Sequence, residues 1–314
     1  MPSHFTIARA VPKFKPSAYN RGMTVYLGCP VWSFKGWVGN FYPKSTKPVD
    51  FLREYARRLT TIEGNTTFYA VPAPQTLENW RDQTPDTFRF CMKIPKAISH
   101  NGKLLDYADR ALGFMDLLRA LDTRLGPCFL QLPPRYSPSL LADLAAFLSR
   151  MPSDLRLAVE VRHLDWFESP HRETLNQLLA SHNMARVVID TRPIRTLEGD
   201  AILEDTSYAS LLEARERKPD VPVFLERTAD FVFLRFISHP RLEQNIEFVQ
   251  EWVEYLVPQL EQGASAFIFC HSPDNLIAPE ICREFHRRLS ARVVLPPLPW
   301  DALPPDAPLQ PSLF

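Results

Sequence analysis

Seven charged side chains, Glu63, Lys93, Glu160, Arg162, Asp190, Arg235 and His271, fall at or just past the ends of short apolar runs spread over two hundred residues of chain. The clearest case is Leu157–Trp166, L-A-V-E-V-R-H-L-D-W, where Leu157, Val159 and Val161 alternate with Ala158, Glu160 and Arg162. A strand sends alternate residues to opposite faces, so an acid and a base share the side away from the apolar face. Unpaired charge sealed inside a packed sheet is costly, so this face must look into a polar, convergent space such as the mouth of a barrel. Four arrangements of these groups are chemically sensible. In the first, Lys93, Arg162 and Arg235 clamp a phosphate while Glu63 or Glu160 serves as general base, which is phosphoester chemistry. In the second, Glu160, Asp190 and His271 hold a divalent metal. In the third, Lys93 is a Schiff-base amine of a sugar-phosphate lyase or isomerase, against which stands the expectation that neighbouring carboxylates keep it charged. In the fourth, the groups are a salt-bridge network that plugs the barrel, and the protein is a non-catalytic adaptor or scaffold.

The expected catalytic set is therefore Glu63, Lys93, Glu160, Arg162, Asp190 and His271. Trp32, Asn65, Tyr69, His100, Gln131, His163, Trp166 and Arg235 are expected to bind substrate around it, His100 and His163 being residues that more often anchor loops than catalyse. Eight strand-like runs must position them: Thr24–Gly28, Thr60–Tyr69, Phe88–Pro95, Cys128–Pro134, the opening stretch, Ala185–Thr191, Phe231–Ser238 and Ser265–Pro273. Helical periodicity falls between them at Pro48–Leu59, Pro74–Asp82, Tyr107–Leu121, Ser139–Arg150, Glu173–Ser181, Asn245–Gln262 and Ala278–Leu289. Strands that begin apolar and end polar, alternating with helices, imply an α/β chain of one domain, a parallel (β/α)8 TIM barrel. Residues 192–230 read only as an elaborated connection, with a charged helical patch near Ser210–Arg217. The loop Cys29–Pro43 is dense in aromatics, and Trp32, Trp37, Phe41 and Tyr42 either cover the core or form a ligand wall.

The 36 basic residues balance 36 acidic ones, so no global field draws the chain to nucleic acid or to an anionic membrane. No run approaches the ~20 apolar residues of a membrane span, and the N-terminus lacks the apolar core of a signal peptide, so no membrane contact and a cytoplasmic location are expected. Five cysteines without a C-x-x-C pair fit neither a disulfide framework nor a zinc knuckle. Cys29, Cys91 and Cys270 end strand-like runs and could meet, or be buried inert thiols. The domain plan is an N-terminal arm over 1–23, the barrel over 24–292, and an extended Pro-rich tail over 293–314.

Six ordered motifs, Gly28–Pro43, Ile62–Pro72, Trp80–Lys93, Ile98–His100, Leu125–Pro134 and Ala158–Trp166, resemble the YecE-like family, a domain of unknown function, over roughly residues 24–291. The resemblance implies a TIM barrel and no settled activity, although the family's barrel has been likened to the endonuclease IV group of repair nucleases, a fold-level analogy. Cys29–Pro30–Val31, the R-F-I-S from Arg235 to Ser238, and Cys270–His271 depart from the family's usual residues around the expected mouth.

The last five residues, Gln310-Pro311-Ser312-Leu313-Phe314, resemble the peptide that binds the bacterial DNA polymerase sliding clamp. Leu313 and Phe314 would enter an apolar groove while Gln310 makes orienting hydrogen bonds. Together these features suggest a nucleic-acid-linked or phosphate-ester hydrolase or binding protein, recruited through its tail, taking nucleic acid or a phosphorylated small molecule at the barrel mouth and needing no cofactor unless it is a divalent metal.

Overall fold

A computed structural model describes residues 25–197, 200 and 203–303. The expected arm over 1–23 and the clamp-peptide residues Gln310, Leu313 and Phe314 lie outside the described residues. Eight strands, β1 (Val25–Cys29), β2 (Thr61–Gly64), β3 (Arg89–Met92), β4 (Cys128–Gln131), β5 (Leu157–Glu160), β6 (Ala185–Asp190), β7 (Phe231–Ile237) and β8 (Ser265–His271), pair parallel in the order β3-β2-β1-β8-β7-β6-β5-β4. Between β3 and β4 the ring closes by isolated bridges, Phe90 to Leu125 and Lys93 to Phe129, supported by Gly126 N–H donating to Phe90 O at 2.9 Å and Ile94 N–H to Phe129 O at 2.9 Å. This is the (β/α)8 barrel expected from the alternation of patterns.

The helices follow in chain order: α1 (Phe51–Ala56), α2 (Pro74–Asp82), α3 (Lys96–Ser99), α4 (Ala108–Leu118), α5 (Leu141–Leu148), α6 (His171–Ser181), α7 (Arg192–Arg195), α8 (Asp205–Arg217), α9 (Ile246–Glu261) and α10 (Ala278–Ser290). Proline opens α2 at its first residue, where a missing N–H leaves no helical bond unmade. The outward strand residues Leu27, Ile62, Phe90, Leu130, Val159, Leu234 and Ile268 are buried with the helices' apolar faces. At Gly28 a side chain would meet Thr61 O at 2.0 Å, so β1 and β2 approach as closely as they do because the residue there is glycine.

The barrel interior is a separate, aromatic core. Tyr26 stacks on Phe267 at 4.5 Å near the bottom, and Phe233 lies between Phe129 at 5.3 Å and Phe269 at 4.9 Å above it. One layer higher, at the C-terminal strand ends, the inward side chains are polar. The loop of aromatics after β1 serves the core: Trp37, Phe41 and Tyr42 are buried, and the Tyr42 hydroxyl donates to Trp32 O at 2.6 Å. All five cysteines are free and buried, but they do not converge as one group. Cys29 and Cys270 face outward with the helix-side core, Cys29 Sγ lying 4.0 Å from Cys282 Sγ of α10, whereas Cys91 points into the barrel beside Thr61. Among the described residues no helix is long and apolar enough to cross a membrane.

Candidate functional site

Parity along the strands decides which charges meet. In β2, β4, β5, β7 and β8, Glu63, Gln131, Glu160, Arg235 and His271 continue the inward faces that carry Phe129, Ala158, Phe233 and Phe269 below them. Arg235 is the hub. Its Nε and Nη2 donate to Glu63 Oε2 and Oε1 at 2.9 and 2.8 Å, a bidentate pair, and its Nη1 donates to Glu160 Oε2 at 2.6 Å. Arg162 Nε takes the other Glu160 oxygen at 2.7 Å, and Asn65 Nδ2 adds a bond to Glu63 Oε1 at 2.7 Å. Both carboxylates are wholly buried (0%), and each of their oxygens holds a donor.

These contacts set the protonation states. Burial by itself would raise the Glu63 carboxyl, but Arg235 and His271 hold it well below the usual carboxylate range. Burial opposes Glu160 in the same way, and Arg235 and Arg162 outweigh it and bring the group down to about 2. Desolvation pushes His271 down to about 4 despite the Glu63 charge, so at neutral pH the ring is uncharged and donates its Nε2 proton to Glu63 Oε2 at 3.1 Å. Neither glutamate is a good proton acceptor, which corrects the expectation of a Glu63 or Glu160 base.

Lys93 behaves differently. Its Nζ donates to the neutral amide oxygen Gln131 Oε1 at 2.8 Å, an acceptor shared with Arg162 Nη2 at 2.8 Å, and lies over the Phe68 ring at 4.0 Å. Burial, and then the nearby Arg235 charge, lower Lys93 to about 7. The carboxylates expected to keep it charged are already engaged by arginines, so that expectation is overturned.

Above this layer opens a cavity of about 560 Å³. Of the residues anticipated from sequence, Asn65, Tyr69, Lys93, His100, Gln131, Arg162, Arg235 and His271 line it, with Glu63 and Glu160 sealed just beneath. His100 packs edge-on to Phe68 at 5.2 Å with its Nδ1 2.8 Å from Ser99 Oγ, and burial together with the Lys93 charge lowers it to about 4.

Four anticipated residues lie elsewhere. Asp190 has the outward parity of its strand: it accepts Trp252 Nε1 of α9 at 2.8 Å and Arg192 Nη2 at 2.8 Å, on the helix side of the sheet. It cannot join Glu160 and His271 in a metal site, and among the described residues no group of three or more His, Cys, Asp or Glu is placed to hold a metal. Trp166 is fully buried, with Nε1 donating to Tyr136 O at 2.7 Å. Trp32 packs edge-on to Trp80 at 5.2 Å, and His163 accepts Asp165 N–H at 3.3 Å as a loop anchor.

The cavity also has a wall that the strand ends did not suggest. Ser210, Glu213, Ala214, Arg217 and Lys218, in α8 and just after it, face the rim, together with Phe68 and Lys96. The R-E-R-K run from Arg215 to Lys218, which overlaps the charged helical patch, is the one sequence feature at this wall, and nothing in it placed the segment at the mouth.

Fold and mouth together define a single-domain parallel (β/α)8 barrel whose rim gathers cations above a sealed carboxylate pair. The model of the family described as "Protein of unknown function DUF72" matches residues 26–303, and the chain belongs to that family. It is 35% identical over 291 residues to UPF0759 protein YecE of Escherichia coli (strain K12), covering 92% of this chain and 100% of that one. It is 23% identical over 175 residues to UPF0759 protein YunF of Bacillus subtilis (strain 168), covering 53% and 60%. Among solved structures it resembles a DUF72 family protein from Thermotoga maritima MSB8, with TM-score 0.61 and 20% identity over 85% of this chain and 99% of that one. A second, from Enterococcus faecalis V583, gives 0.62 and 18% over 86% and 99%. The YecE-like membership expected from the six motifs is thereby met, and the family match continues to residue 303, past the start of the Pro-rich stretch.

Proposed function

We propose that the barrel mouth binds the phosphate of a phosphorylated small molecule or of a nucleotide end, and acts on it as a phosphoester hydrolase. One observation carries this reading: Lys93, Lys96, Arg162, Arg217, Lys218 and Arg235 line the cavity against one lining carboxylate, Glu213. The end of β7 and the segment after β8, which supply Ile237 and then Ser272, Pro273 and Asn275 to the lining, lie at the side of the mouth where barrels of this class commonly seat phosphate. A volume of about 560 Å³ suits a small molecule or a single nucleotide rather than a duplex. Glu63 and Glu160 act by fixing Arg235 and Arg162 toward the phosphate. Lys93, lowered to about 7, is the group suited to give a proton to the leaving oxygen at neutral pH. The test is phosphate release from a panel of sugar and nucleoside phosphates, which Lys93→Met should abolish; equal release by that variant would remove the hydrolase.

The same neutral surroundings of Lys93 favour a second reading, imine formation with a carbonyl-bearing phosphate ester in a lyase or isomerase. Borohydride reduction in the presence of such a substrate should add mass at Lys93, whereas the hydrolase predicts none. A binding-only adaptor is distinguished from both by ligand affinity without turnover.

Recruitment rests on the chain's end. Gln310, Leu313 and Phe314 have the types and spacing of a sliding-clamp peptide, and we infer that they bring the barrel to the clamp, with a local tether in place of a charged field. Clamp retained by the full chain but not by a chain ending at Pro308 supports this; equal retention refutes it.

A further inference from the structure

Six cations and three carboxylates gather at the mouth, and of the three cations left over two are withdrawn from solvent. Glu63 and Glu160 are matched by Arg235 and Arg162 through direct bonds. His271 and His100 are lowered to about 4 and are uncharged at neutral pH. Arg217 pairs with Glu213 on the same helix, and Lys96 is exposed and solvated. Lys93 and Lys218 remain. Lys93 has a neutral amide as its acceptor. Lys218 is half-buried in the cavity wall, and among the described residues its ammonium has neither a carboxylate within salt-bridge distance nor a hydrogen-bond acceptor.

The backbone at Lys218 is held firmly nevertheless. Its N–H donates to Ala214 O at 2.9 Å and its carbonyl accepts Arg195 Nη2 of α7 at 3.0 Å. Arg215, one turn back, pairs with Asp200 at 2.7 Å, and Asp200 in turn meets His239, just past β7, at 3.2 Å. So many fixed contacts around a lysine whose own charge is unmet mark a residue held ready for an anion that is not protein.

We propose that Lys218 and Lys93 form a two-lysine seat for one phosphate monoester dianion, so that the segment between β6 and β7 completes a pocket otherwise built on strand ends. This rests on the phosphate reading above and sharpens it. Lys93, lowered to about 7, is only about half-protonated at neutral pH, and a bound anion draws it to the charged form; the two lysines then match the two negative charges of a monoester, whereas a diester carries one and would leave a lysine uncompensated beside Arg235 and Arg162. The ligand class is therefore a terminal phosphate on a small molecule or a chain end, not an internal phosphate of a nucleic-acid backbone.

Titration calorimetry of the full chain at pH 7 with methyl phosphate and with dimethyl phosphate tests the seat. The unaltered chain should bind the monoester about tenfold or more tightly than the diester, and Lys218→Met should lose about that factor for the monoester alone. Lys218→Arg should restore most of it, and Lys218→Gln repeats the loss with a polar side chain. Because the Lys218 ammonium is unpaired and faces other cations, the ligand-free Met variant should melt at or above the temperature of the unaltered chain, where a merely structural lysine would lower it. Monoester affinity unchanged in both Lys218→Met and Lys218→Gln, or a diester preference in the unaltered chain, overturns the seat and leaves phosphate binding standing. No binding of either ester by the unaltered chain overturns the phosphate reading and the seat together.

Discussion

The mouth has two layers of charge that differ in kind. The inner layer, Glu63, Glu160, Arg235 and Arg162, is closed on itself: donors and acceptors are matched by bonds of 2.6–2.9 Å, and the carboxylates see no solvent. The outer layer, Lys93 and Lys218 with Tyr69 and His100 at the lip, is open, and its lysines have no anion. A buried ion network of the first kind contributes rigidity and orientation, since removing one member strands its partners. Unmet charge of the second kind is a standing cost that a ligand would relieve. The difference separates scaffold from site within a few ångströms of the same strand ends, which charge content alone does not do.

Arg235 gives the sharpest way to break this contrast. Arg235→Met takes from buried Glu63 its arginine and from buried Glu160 one of its two, and should cost about 3–5 kcal/mol in urea unfolding, enough to threaten the fold. A loss below ~1 kcal/mol would mean that the inner layer is not structural. Next comes Asp190, which lies outside both layers. Asp190→Ala removes the acceptor of Trp252 Nε1 and of Arg192 and should cost about 1–3 kcal/mol of stability while methyl phosphate affinity is unchanged. Loss of affinity at full stability would return Asp190 to the site.

Lys93 connects the layers through pH. Its folded proton affinity, about 7, lies below the ~10.4 of a free lysine, so between those values the unfolded chain holds more protons and stability should rise with pH. Lys93→Met should flatten that rise, measured by urea midpoints at pH 7 and pH 10. Phosphate affinity should run the other way, falling as pH increases past about 7 because the seat loses a charge. A stability that falls over this interval, or an affinity that does not, would show Lys93 to be paired like the inner layer.

What could be read in the sequence follows the same division. The strands were legible because each is a short apolar run that ends polar, and parity within the run then put Glu63, Lys93, Glu160, Arg162, Arg235 and His271 on a face and at a height. Asp190 misled because its strand-end position was read as a mouth position, although it shares parity with Arg186 and Val188, whose face turns to the helices, where Arg186 meets Asn176. The outer wall was illegible for a different reason. Helix α8 buries Leu211 and Ala214 while most of its other side chains stay exposed, too little apolar surface to impose a helical period. Its position comes from Arg195, Arg215 and Asp200, polar contacts between residues up to 39 apart that no local pattern encodes. Pairing was likewise invisible: the sequence shows that Lys93 stands near two acids, but not that arginines already hold both.

The smallest expected effect tests how far the open layer extends. Tyr69 is 82% exposed at the lip, next to Phe68 under the Lys93 ammonium, and it also borders a second hollow of about 410 Å³ lined by Val71, Ile98 and Phe114. A large aromatic left in solvent has little to do with stability, so Tyr69→Ala should move the unfolding free energy by no more than ~0.5 kcal/mol. If the ring instead meets the organic part of a bound ester, phenyl phosphate should lose about three- to tenfold in affinity while inorganic phosphate loses nothing, since stacking of this kind is worth about 0.5–1.5 kcal/mol. Equal losses for both would place Tyr69 against the phosphate itself, and no loss for either would confine the open layer to the two lysines and the arginines behind them.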